Sequence, residues 1–408
     1  MASCLSLRID RRSLVAATVT GGVTLAALPR PLLAATHRTA AIAVHAQENA
    51  PGVPMFRGDA ARTGVMPGPG PDPSKGGEVL AEYKGHGSVY STPAVIDGTV
   101  YIGSESLASV IAVSASDGEA RWTHKVDWPV FSSPAVAEGV IYIGEGNLEG
   151  DEAPRHLYAL NTDDGSERWR FETGGRIRSS PAVVDGVVYV GSFDRNIYAI
   201  DAGTGSERWT FTTGGQVEAS PAVADGTIYA GSVDLNLYAI DAASGSERWR
   251  FATDSAISSS PAVADGVVFL TSGMNLFAID AASGGELWRS EIESIFRSSP
   301  AVADGVVYAA GSTTLYAVDA ASGTERWRFE TSSSNLLPSP AVVDSVIYIA
   351  DGDFAALQGG LYAIEAATGS ELWSIEFADR FLSSPVVADE RVYLMGAGGT
   401  LYVVGDQA

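Results

Sequence analysis

The feature that most constrains the fold is a short motif that recurs along most of the chain. A Ser or Thr is followed by Pro, then by Ala or Val, then by Val, and successive copies are 39 to 47 residues apart. The prolines of the eight copies are Pro93, Pro134, Pro181, Pro221, Pro261, Pro300, Pro340 and Pro385. A chain of 408 residues would ordinarily suggest two or three domains. A period of this length instead predicts one domain, over residues 77–408, in which each repeat packs against the next.

Each repeat predicts four short strands. In the repeat of Pro181, residues 181–184 form a short apolar run that ends at an Asp-Gly pair, a strong hairpin signal. Residues 187–191 and 197–201 are two further apolar runs, and residues 207–211 alternate charged with aromatic side chains. Four strands per 40 residues without a helical period indicate a propeller blade. We therefore predict an all-β fold, an eight-bladed β-propeller of four-stranded antiparallel blades.

The two ends of the repeat region predict how the ring closes. Seven repeats carry a Trp at the start of the fourth strand, namely Trp122, Trp169, Trp209, Trp249, Trp288, Trp327 and Trp373. The eighth repeat, from Pro385, ends after its third strand at residues 401–404. Residues 78–84 precede Pro93 at the spacing of a fourth strand, with Ala81 at the Trp position and Tyr83 aligned with Phe171. We expect this N-terminal strand to complete the last blade, which removes the open edges.

The junction between the third and fourth strands carries a second motif, Ala-x-Asp-x-x-Ser/Thr-Gly-x-x-x-Trp. It occurs at residues 199–209, 239–249, 278–288 and 317–327, and variants with Ser114, Asn161 and Glu365 at the Asp position end at Trp122, Trp169 and Trp373. Asp can accept hydrogen bonds from turn amides, and Gly relieves backbone strain. Trp is a large apolar plate, so we interpret the seven tryptophans as blade-to-blade packing and not as a ligand-stacking site.

This motif resembles the tryptophan-docking motif of the pyrroloquinoline-quinone (PQQ) type propellers, and the resemblance covers residues 78–405. The resemblance implies two functional classes. One is the quinoprotein dehydrogenases, which hold PQQ and Ca²⁺ on the propeller axis, and the other is the non-catalytic scaffolds, including the BamB-type outer-membrane assembly lipoproteins. The chain lacks the adjacent cysteine pair that many quinoproteins stack on the cofactor, and no calcium-binding or catalytic carboxylate can be transferred to it.

The N-terminal region differs from the repeats. Arg8, Arg11 and Arg12 precede a weakly apolar run, residues 14–28, and small residues follow up to Ala46. This pattern predicts a secretory signal peptide over residues 1–46, similar to twin-arginine signals, and the run is too short and too rich in Gly and Thr to span a membrane. Cys4 precedes the apolar run, so a lipid anchor is not expected.

Residues 47–76 are rich in Pro, Gly and Asp, and this composition predicts an extended linker. The tripeptide Arg57-Gly58-Asp59 within it matches an adhesion motif of some extracellular proteins, but it is too short to carry an assignment.

Composition excludes several kinds of site. The formal net charge is −23, which argues against nucleic acid or anionic lipid as a partner. A single Cys excludes a disulfide framework, and the five His have no metal-ligand spacing. Two longer loops, residues 145–152 and 351–360, carry carboxylates that could hold Ca²⁺, but their spacing matches no EF-hand, which favours solvated acidic loops.

The best candidate contact surface is the ring of residues that stand three positions before each proline. They are unlike one another: Tyr90, Phe131, Arg178, Glu218, Ser258, Arg297, Leu337 and Leu382, with Arg176 and Arg380 two positions earlier in their own loops. In a propeller these positions converge at the mouth of the axis, and arginines there could receive a carboxylate or a phosphate of a partner. The alternative is that they are ordinary solvated loop residues.

The sequence predicts an exported protein, periplasmic, at the cell surface or extracellular. Our first hypothesis is a monomeric, non-catalytic propeller that binds a protein or an envelope polymer, with no catalytic residue and no cofactor firmly implied. The alternative is a PQQ- and calcium-dependent dehydrogenase of alcohols or sugars, and a third option is a module that senses a small ligand.

Overall fold

The computed structural model describes residues 52–146, 153–292, 298–331, 338–353 and 357–407. These residues form eight antiparallel sheets of four strands, one of which gains a fifth strand. The all-β, eight-bladed propeller that the repeat predicts is therefore confirmed. The predicted signal peptide, residues 1–46, lies outside the described residues.

Two strands precede the first blade, β1 (Gly52–Val53) and β2 (Gly77–Tyr83), with a 3-10 turn at Pro73–Lys75 between them. Blades are numbered from 1 to 8 by the order of the repeat prolines. Blade 1 contains β3 (Ala94–Ile96), β4 (Thr99–Ser104), β5 (Ser109–Ser114) and β6 (Ala120–Lys125). Blade 2 contains β7 (Ala135–Ala137), β8 (Val140–Gly144), β9 (Arg155–Asn161) and β10 (Glu167–Thr173). Blade 3 contains β11 (Ala182–Val184), β12 (Val187–Gly191), β13 (Asn196–Asp201) and β14 (Glu207–Thr212).

The remaining blades repeat this order. Blade 4 contains β15 (Ala222–Ala224), β16 (Thr227–Gly231), β17 (Asn236–Asp241) and β18 (Glu247–Ala252). Blade 5 contains β19 (Ala262–Ala264), β20 (Val267–Ser272), β21 (Asn275–Asp280) and β22 (Glu286–Glu291). Blade 6 contains β23 (Ala301–Ala303), β24 (Val306–Ala310), β25 (Thr314–Asp319) and β26 (Glu325–Glu330). Blade 7 contains β27 (Ala341–Val343), β28 (Val346–Ala350), β29 (Gly359–Glu365) and β30 (Glu371–Phe377). Blade 8 contains β31 (Val386–Ala388), β32 (Arg391–Met395) and β33 (Leu401–Asp406).

The first hairpin of a blade shows how the sequence sets the strand order. In blade 3, Asp185 and Gly186 have φ angles of 49° and 70°. Positive φ at both central residues of a two-residue turn is the geometry that matches the twist of paired strands. The two central strands, β12 and β13, are largely buried, whereas the outer strand β14 exposes every second side chain from Arg208 onward.

The ring closes as predicted, because β2 pairs with β33 and supplies the fourth strand of blade 8. The register shift between Val79 and Ala81 matches the shift that precedes Trp169 in blade 2, so Ala81 occupies the Trp position. A Cβ added to Gly118 of blade 1 would lie 2.1 Å from the Tyr83 ring. Tyr83 therefore provides the flat surface that Trp provides in the other blades.

In blades 1 to 6 the Trp contacts the next blade through an indole hydrogen bond. The Trp209 Nε1 donates to the carbonyl of Ala242 in blade 4 at 3.0 Å. Gly245, with φ of 71°, lies against the same indole, and a Cβ there would come within 2.7 Å of it. Equivalent indole hydrogen bonds run from Trp122, Trp169, Trp249, Trp288 and Trp327 to the following blades.

The Asp of the second motif organises the turn before this Trp. Asp241 accepts hydrogen bonds from the Ser244 backbone N–H at 2.9 Å and from the Ser244 hydroxyl at 2.8 Å. The Arg248 guanidinium donates to its other oxygen at 2.7 Å. Hydrogen bonding by Arg248 and then by Ser244 lowers the pKa of Asp241 to about 2. The carboxylate is thus held in its charged form, which is the form that accepts these bonds.

A closed circle of hydrogen bonds joins all eight blades at the residue before each proline. The backbone N–H of each of these residues donates to the hydroxyl oxygen of its counterpart in the next blade, at 2.8 to 3.1 Å. The members are Thr92, Ser133, Ser180, Ser220, Ser260, Ser299, Ser339 and Ser384, and the Ser384 N–H donates to Thr92 to complete the circle. This explains why the repeat requires Ser or Thr at this position, since another residue type would leave a buried N–H unpaired.

Residues 52–70, which we call the axial segment, depart from the expected extended linker. Strand β1 pairs with β3 of blade 1, and the rest of the segment runs along the inner strands that line the axis. Its carbonyls accept the N–H groups of five inner-strand valines, Val136, Val223, Val263, Val302 and Val342, at 2.7 to 2.9 Å. Val53, Met55 and Met66 are buried. The linker prediction was based on low apolar content, which does not report the backbone hydrogen bonds that hold this segment against the inner strands.

Candidate functional site

Side chains at the predicted rim contact one another from blade to blade. The rings of Tyr90 and Phe131 stack with centroids 4.8 Å apart and planes inclined by 29°. The Arg178 Cζ lies 5.7 Å from the centre of the Phe131 ring. The Arg178 Nη1 is 2.7 Å from the Glu218 Oε1 in blade 4. The structure thus brings together four of the predicted rim residues, which come from four successive blades.

Phe193, which the sequence analysis missed, extends this series. It follows β12 in blade 3, and its ring centre lies 4.6 Å from the Arg176 Cζ and 5.8 Å from the Arg178 Cζ. The sequence does contain a sign of Phe193, because blade 4 has Val233 at the equivalent position and the two blades therefore differ there. Tyr90, Phe131, Arg178, Phe193 and Arg176 form a continuous series of flat groups, which we call the rim arc.

The rim arc combines a buried base with accessible polar groups. Phe131 and Phe193 are 7% and 8% exposed, whereas the side chains of Arg178 and Glu218 are each 26% exposed. Guanidinium groups that lie over aromatic faces are held in place by cation–π attraction, and they carry planar hydrogen-bond donors. The arc can therefore offer the half-buried Tyr90 ring and the planar donors of partly exposed arginines to a molecule at this face.

The other predicted rim residues have separate positions. Ser258 is exposed in the loop of blade 5. Arg380 and Leu382 are half-buried in the loop of blade 8. The Arg380 carbonyl accepts the Ala397 N–H at 2.8 Å, which fixes its loop against the turn before β33. Arg297 and Leu337 lie outside the described residues.

Two arginines of the axial segment are buried among the inner strands. Arg57 donates to the carbonyls of Pro340 and Pro300, both at 2.5 Å. Arg62 donates to Ser180 and Pro181 in blade 3, to Pro221 in blade 4 and to Phe56 of its own segment. Burial lowers the pKa of each guanidinium to about 9, and the nearby Asp59 carboxylate offsets part of that effect. Both arginines thus tie carbonyls of different blades together on the axis.

Asp59 is the carboxylate that the axial segment places between these two arginines. Its oxygens accept hydrogen bonds from the Thr63 N–H at 3.0 Å and the Thr63 hydroxyl at 2.6 Å. Burial raises the pKa of Asp59, although both hydrogen bonds and both arginines oppose the shift. The carboxylate is therefore engaged in holding the fold of the segment.

Among the described residues, one group of three potential metal ligands lies close together, Asp127, Glu145 and His156 in and before blade 2. Glu145 Oε1 accepts the His156 N–H at 2.9 Å and contacts the His156 Nδ1 at 2.8 Å. Its Oε2 accepts the Tyr158 hydroxyl at 3.2 Å. A Tyr–carboxylate pair recurs at the same place in other blades, as Tyr198 with Asp194 and Tyr362 with Asp351. The repeat thus accounts for Glu145 as a structural acceptor.

The two loops considered for Ca²⁺ are described only in part, because residues 147–152 and 354–356 lie outside the described residues. In the second loop Asp351 is fully buried, and its oxygens accept the Gly360 N–H at 2.5 Å and the Tyr362 hydroxyl at 3.0 Å. Both carboxylate oxygens are therefore engaged within the blade.

A cofactor of the PQQ and Ca²⁺ type requires carboxylate ligands and open space on the axis, and the described axial residues do not fit this need. The inner-strand carbonyls there are hydrogen-bonded by Arg57 and Arg62, and Asp59 is engaged by Thr63. In this group Glu145 directly follows β8, His156 lies in β9 and Asp127 lies in the loop before β7, so none of the three is on an inner strand.

Within the part of the chain that the structure describes, no helix has the length and apolar character needed to cross a membrane. The family model described as "Outer membrane protein assembly factor BamB" matches residues 75–191, 148–219, 194–277, 272–358 and 311–406. No curated protein sequence matches the chain.

Several solved structures share the fold. BamB from Moraxella catarrhalis is 17% identical with a TM-score of 0.66, over 81% of this chain and 98% of that one. Quinohemoprotein alcohol dehydrogenase from Comamonas testosteroni is 16% identical with a TM-score of 0.72, over 88% of this chain and 81% of that one. A europium-containing methanol dehydrogenase is 12% identical with a TM-score of 0.72, over 87% of this chain and 98% of that one. At these identities the likeness shows the fold alone.

Proposed function

Because the chain belongs to the PQQ-like propeller family described as outer membrane protein assembly factor BamB, we propose that it is a non-catalytic binding propeller. The rim arc is its contact surface, and a protein of the cell envelope is its partner. The predicted leader places the protein outside the cytoplasm, where it acts as a monomer.

The observation that carries this proposal is the combination of the rim arc with the axial segment. The arc joins side chains of three blades into one aromatic and cationic surface, and Glu218 extends it to a fourth. Aromatic and Arg side chains are the types that dominate binding energy at protein interfaces. Beneath this surface the axis is occupied by the chain's own residues, which donate to inner-strand carbonyls. The residues of the rim arc differ from blade to blade, whereas the axial residues are hydrogen-bonded within the chain. This arrangement favours a partner that binds at the rim.

A dehydrogenase is the second candidate, and the observation that favours it is the likeness to two alcohol and methanol dehydrogenases with TM-scores of 0.72. The axial residues weigh against it, since both Nη atoms of Arg57, the Arg62 guanidinium and the Asp59 carboxylate are hydrogen-bonded within the chain.

A photo-crosslinking amino acid at Tyr90 tests the rim. We expect light to link it to an envelope protein, because Tyr90 is half-buried at the end of the rim arc. Adding Arg178→Glu should lower the yield about tenfold or more, since it removes a cation and opposes Glu218. The same amino acid at Leu287, 55% exposed on the outer strand β22, is the matched control. Equal yields from Tyr90 and Leu287, or no effect of Arg178→Glu, would contradict a contact role for the rim.

A further inference from the structure

The outer strands of three successive blades each hold a guanidinium in the same way. In blade 4, Arg250 donates to both oxygens of Glu247 at 2.8 Å, and its Cζ lies 5.3 Å from the centre of the Tyr238 ring. Arg289 does the same with Glu286 and Phe277, and Arg328 with Glu325 and Tyr316, in blades 5 and 6. A carboxylate and an aromatic face together form a receptor for a planar cation.

Blade 7 has the carboxylate and the aromatic residue of this receptor but lacks the arginine. Ser374 stands at the position of Arg328, and its hydroxyl donates to Glu371 at 2.7 Å. Glu371 and Tyr362 occupy the positions of Glu325 and Tyr316. Leu372, 38% exposed, also replaces the arginine that precedes Trp in blade 6. Strand β30 therefore carries carboxylates and no basic residue.

A cleft of about 400 Å³ lies at this place, between the outer strands of blades 6 and 7. We call it the blade 6–7 cleft. Phe329 and Tyr362 form its aromatic wall, with ring centroids 5.6 Å apart and planes inclined by 65°. Glu330, Glu371 and Glu376 contribute carboxylates to its lining. The cleft thus presents the carboxylate and the aromatic residue that the sister blades pair with their own arginine.

We propose that the blade 6–7 cleft binds a guanidinium group supplied from outside the chain. The guanidinium pairs with Glu371 and lies against Tyr362, as Arg328 pairs with Glu325 and lies against Tyr316. Its source is either a small guanidinium compound or an arginine side chain of a polypeptide. This site is on the outer wall of the propeller, so the inference does not depend on the function proposed for the rim.

Blade 3 supplies a matched comparison. Thr210 also replaces the arginine there, but the preceding residue is Arg208, which pairs with Asp201 at 2.8 Å. Thr212 stands where blade 7 has Glu376. The neighbouring cation and the absent third carboxylate leave that position less negative than the blade 6–7 cleft, so it provides a control on the same scaffold.

The test is a titration of the full chain with N-acetyl-arginine methylamide, followed by NMR shifts of the Ile375 methyl groups in the cleft lining. Saturable binding with a Kd of about 1 mM is expected, since a partly exposed ion pair and one cation–π contact are each modest. The neutral citrulline analogue should not bind. An arginine-containing tetrapeptide that binds at least about tenfold more tightly would identify a polypeptide as the source, whereas equal affinity would identify a small compound.

Ser374→Arg gives the sharpest variant, because it installs the chain's own guanidinium as in blade 6. We expect it to weaken binding about tenfold or more while leaving the Tm unchanged or raised, and Thr210→Arg should leave binding unchanged. Glu371→Gln should weaken binding as well. The proposal is overturned if the arginine probe fails to saturate, if citrulline binds equally, or if Ser374→Arg binds like the original chain.

Discussion

Replacing Arg62 with Met is expected to lower the free energy of unfolding by about 3–5 kcal/mol, because a buried charged donor is removed from acceptors that stay buried. Arg62 is fully buried, and the carbonyls of Ser180, Pro181 and Pro221 would lose their donor. Met has a similar length and no hydrogen-bond donor, so the loss reports on those bonds. Denaturant unfolding of the two proteins measures the difference.

The control is Arg208→Met, at an exposed arginine that pairs with Asp201 at 2.8 Å. An exposed ion pair contributes about 0–1 kcal/mol, so this variant should unfold at nearly the original denaturant concentration. If the Arg62 and Arg208 variants lose the same stability, the axial segment is not a structural part of the propeller.

The second large effect is expected at the contact between blades. Gly245→Ala should destabilise the fold by about 2–4 kcal/mol, because the new Cβ adds overpacking to the cost of a positive φ. Gly245 has φ of 71°, and a Cβ there would lie 2.7 Å from the Trp209 ring. Calorimetry of the thermal transition measures the change.

A control at Gly226 distinguishes the cost of a positive φ from the cost of overpacking. Its φ is 67°, close to that of Gly245, but nothing lies within 4 Å of an added Cβ. Gly226→Ala should therefore cost only about 1–2 kcal/mol, the backbone term alone. Equal losses at the two glycines would mean that the indole adds no packing constraint between blades.

Most of the fold could be predicted from the sequence because the repeat is local and regular. The turn at Asp185-Gly186 and the proline spacing define a blade, and the alignment of Tyr83 and Ala81 identified the strand that closes the ring. The structure adds the reason for the Ser or Thr before each proline, since the circle of hydrogen bonds joins residues about 40 positions apart.

The axial segment could not be predicted in this way. Arg57 and Arg62 lie in a stretch rich in Gly and Pro, and their acceptors are carbonyls as far as 283 residues away. The composition of a segment indicates how much apolar surface it can bury. It does not indicate which backbone N–H and C=O groups of an inner strand lack a hydrogen-bond partner within their own blade. The segment supplies the partners of those groups, which is visible only when the eight inner strands surround it.

The candidate site was predicted in part. The positions before the prolines gave Tyr90, Phe131, Arg178 and Glu218, whose contacts follow from the convergence of loops at the axis. Phe193 was missed because it comes from a different loop of blade 3. Comparison of equivalent positions finds such residues, and it also finds Ser374, where blade 7 departs from its neighbours.

The most direct test of a non-catalytic propeller is titration of the purified chain with PQQ and Ca²⁺. Quinone absorbance measures binding, and dye reduction with a series of alcohols and sugars measures turnover. The dehydrogenase from Comamonas testosteroni, freed of its cofactor and treated identically, is the positive control. We predict no stoichiometric binding and no dye reduction by this chain, because Arg57, Arg62 and Asp59 are committed to bonds within the propeller. One PQQ bound per chain with substrate-dependent dye reduction would contradict the account.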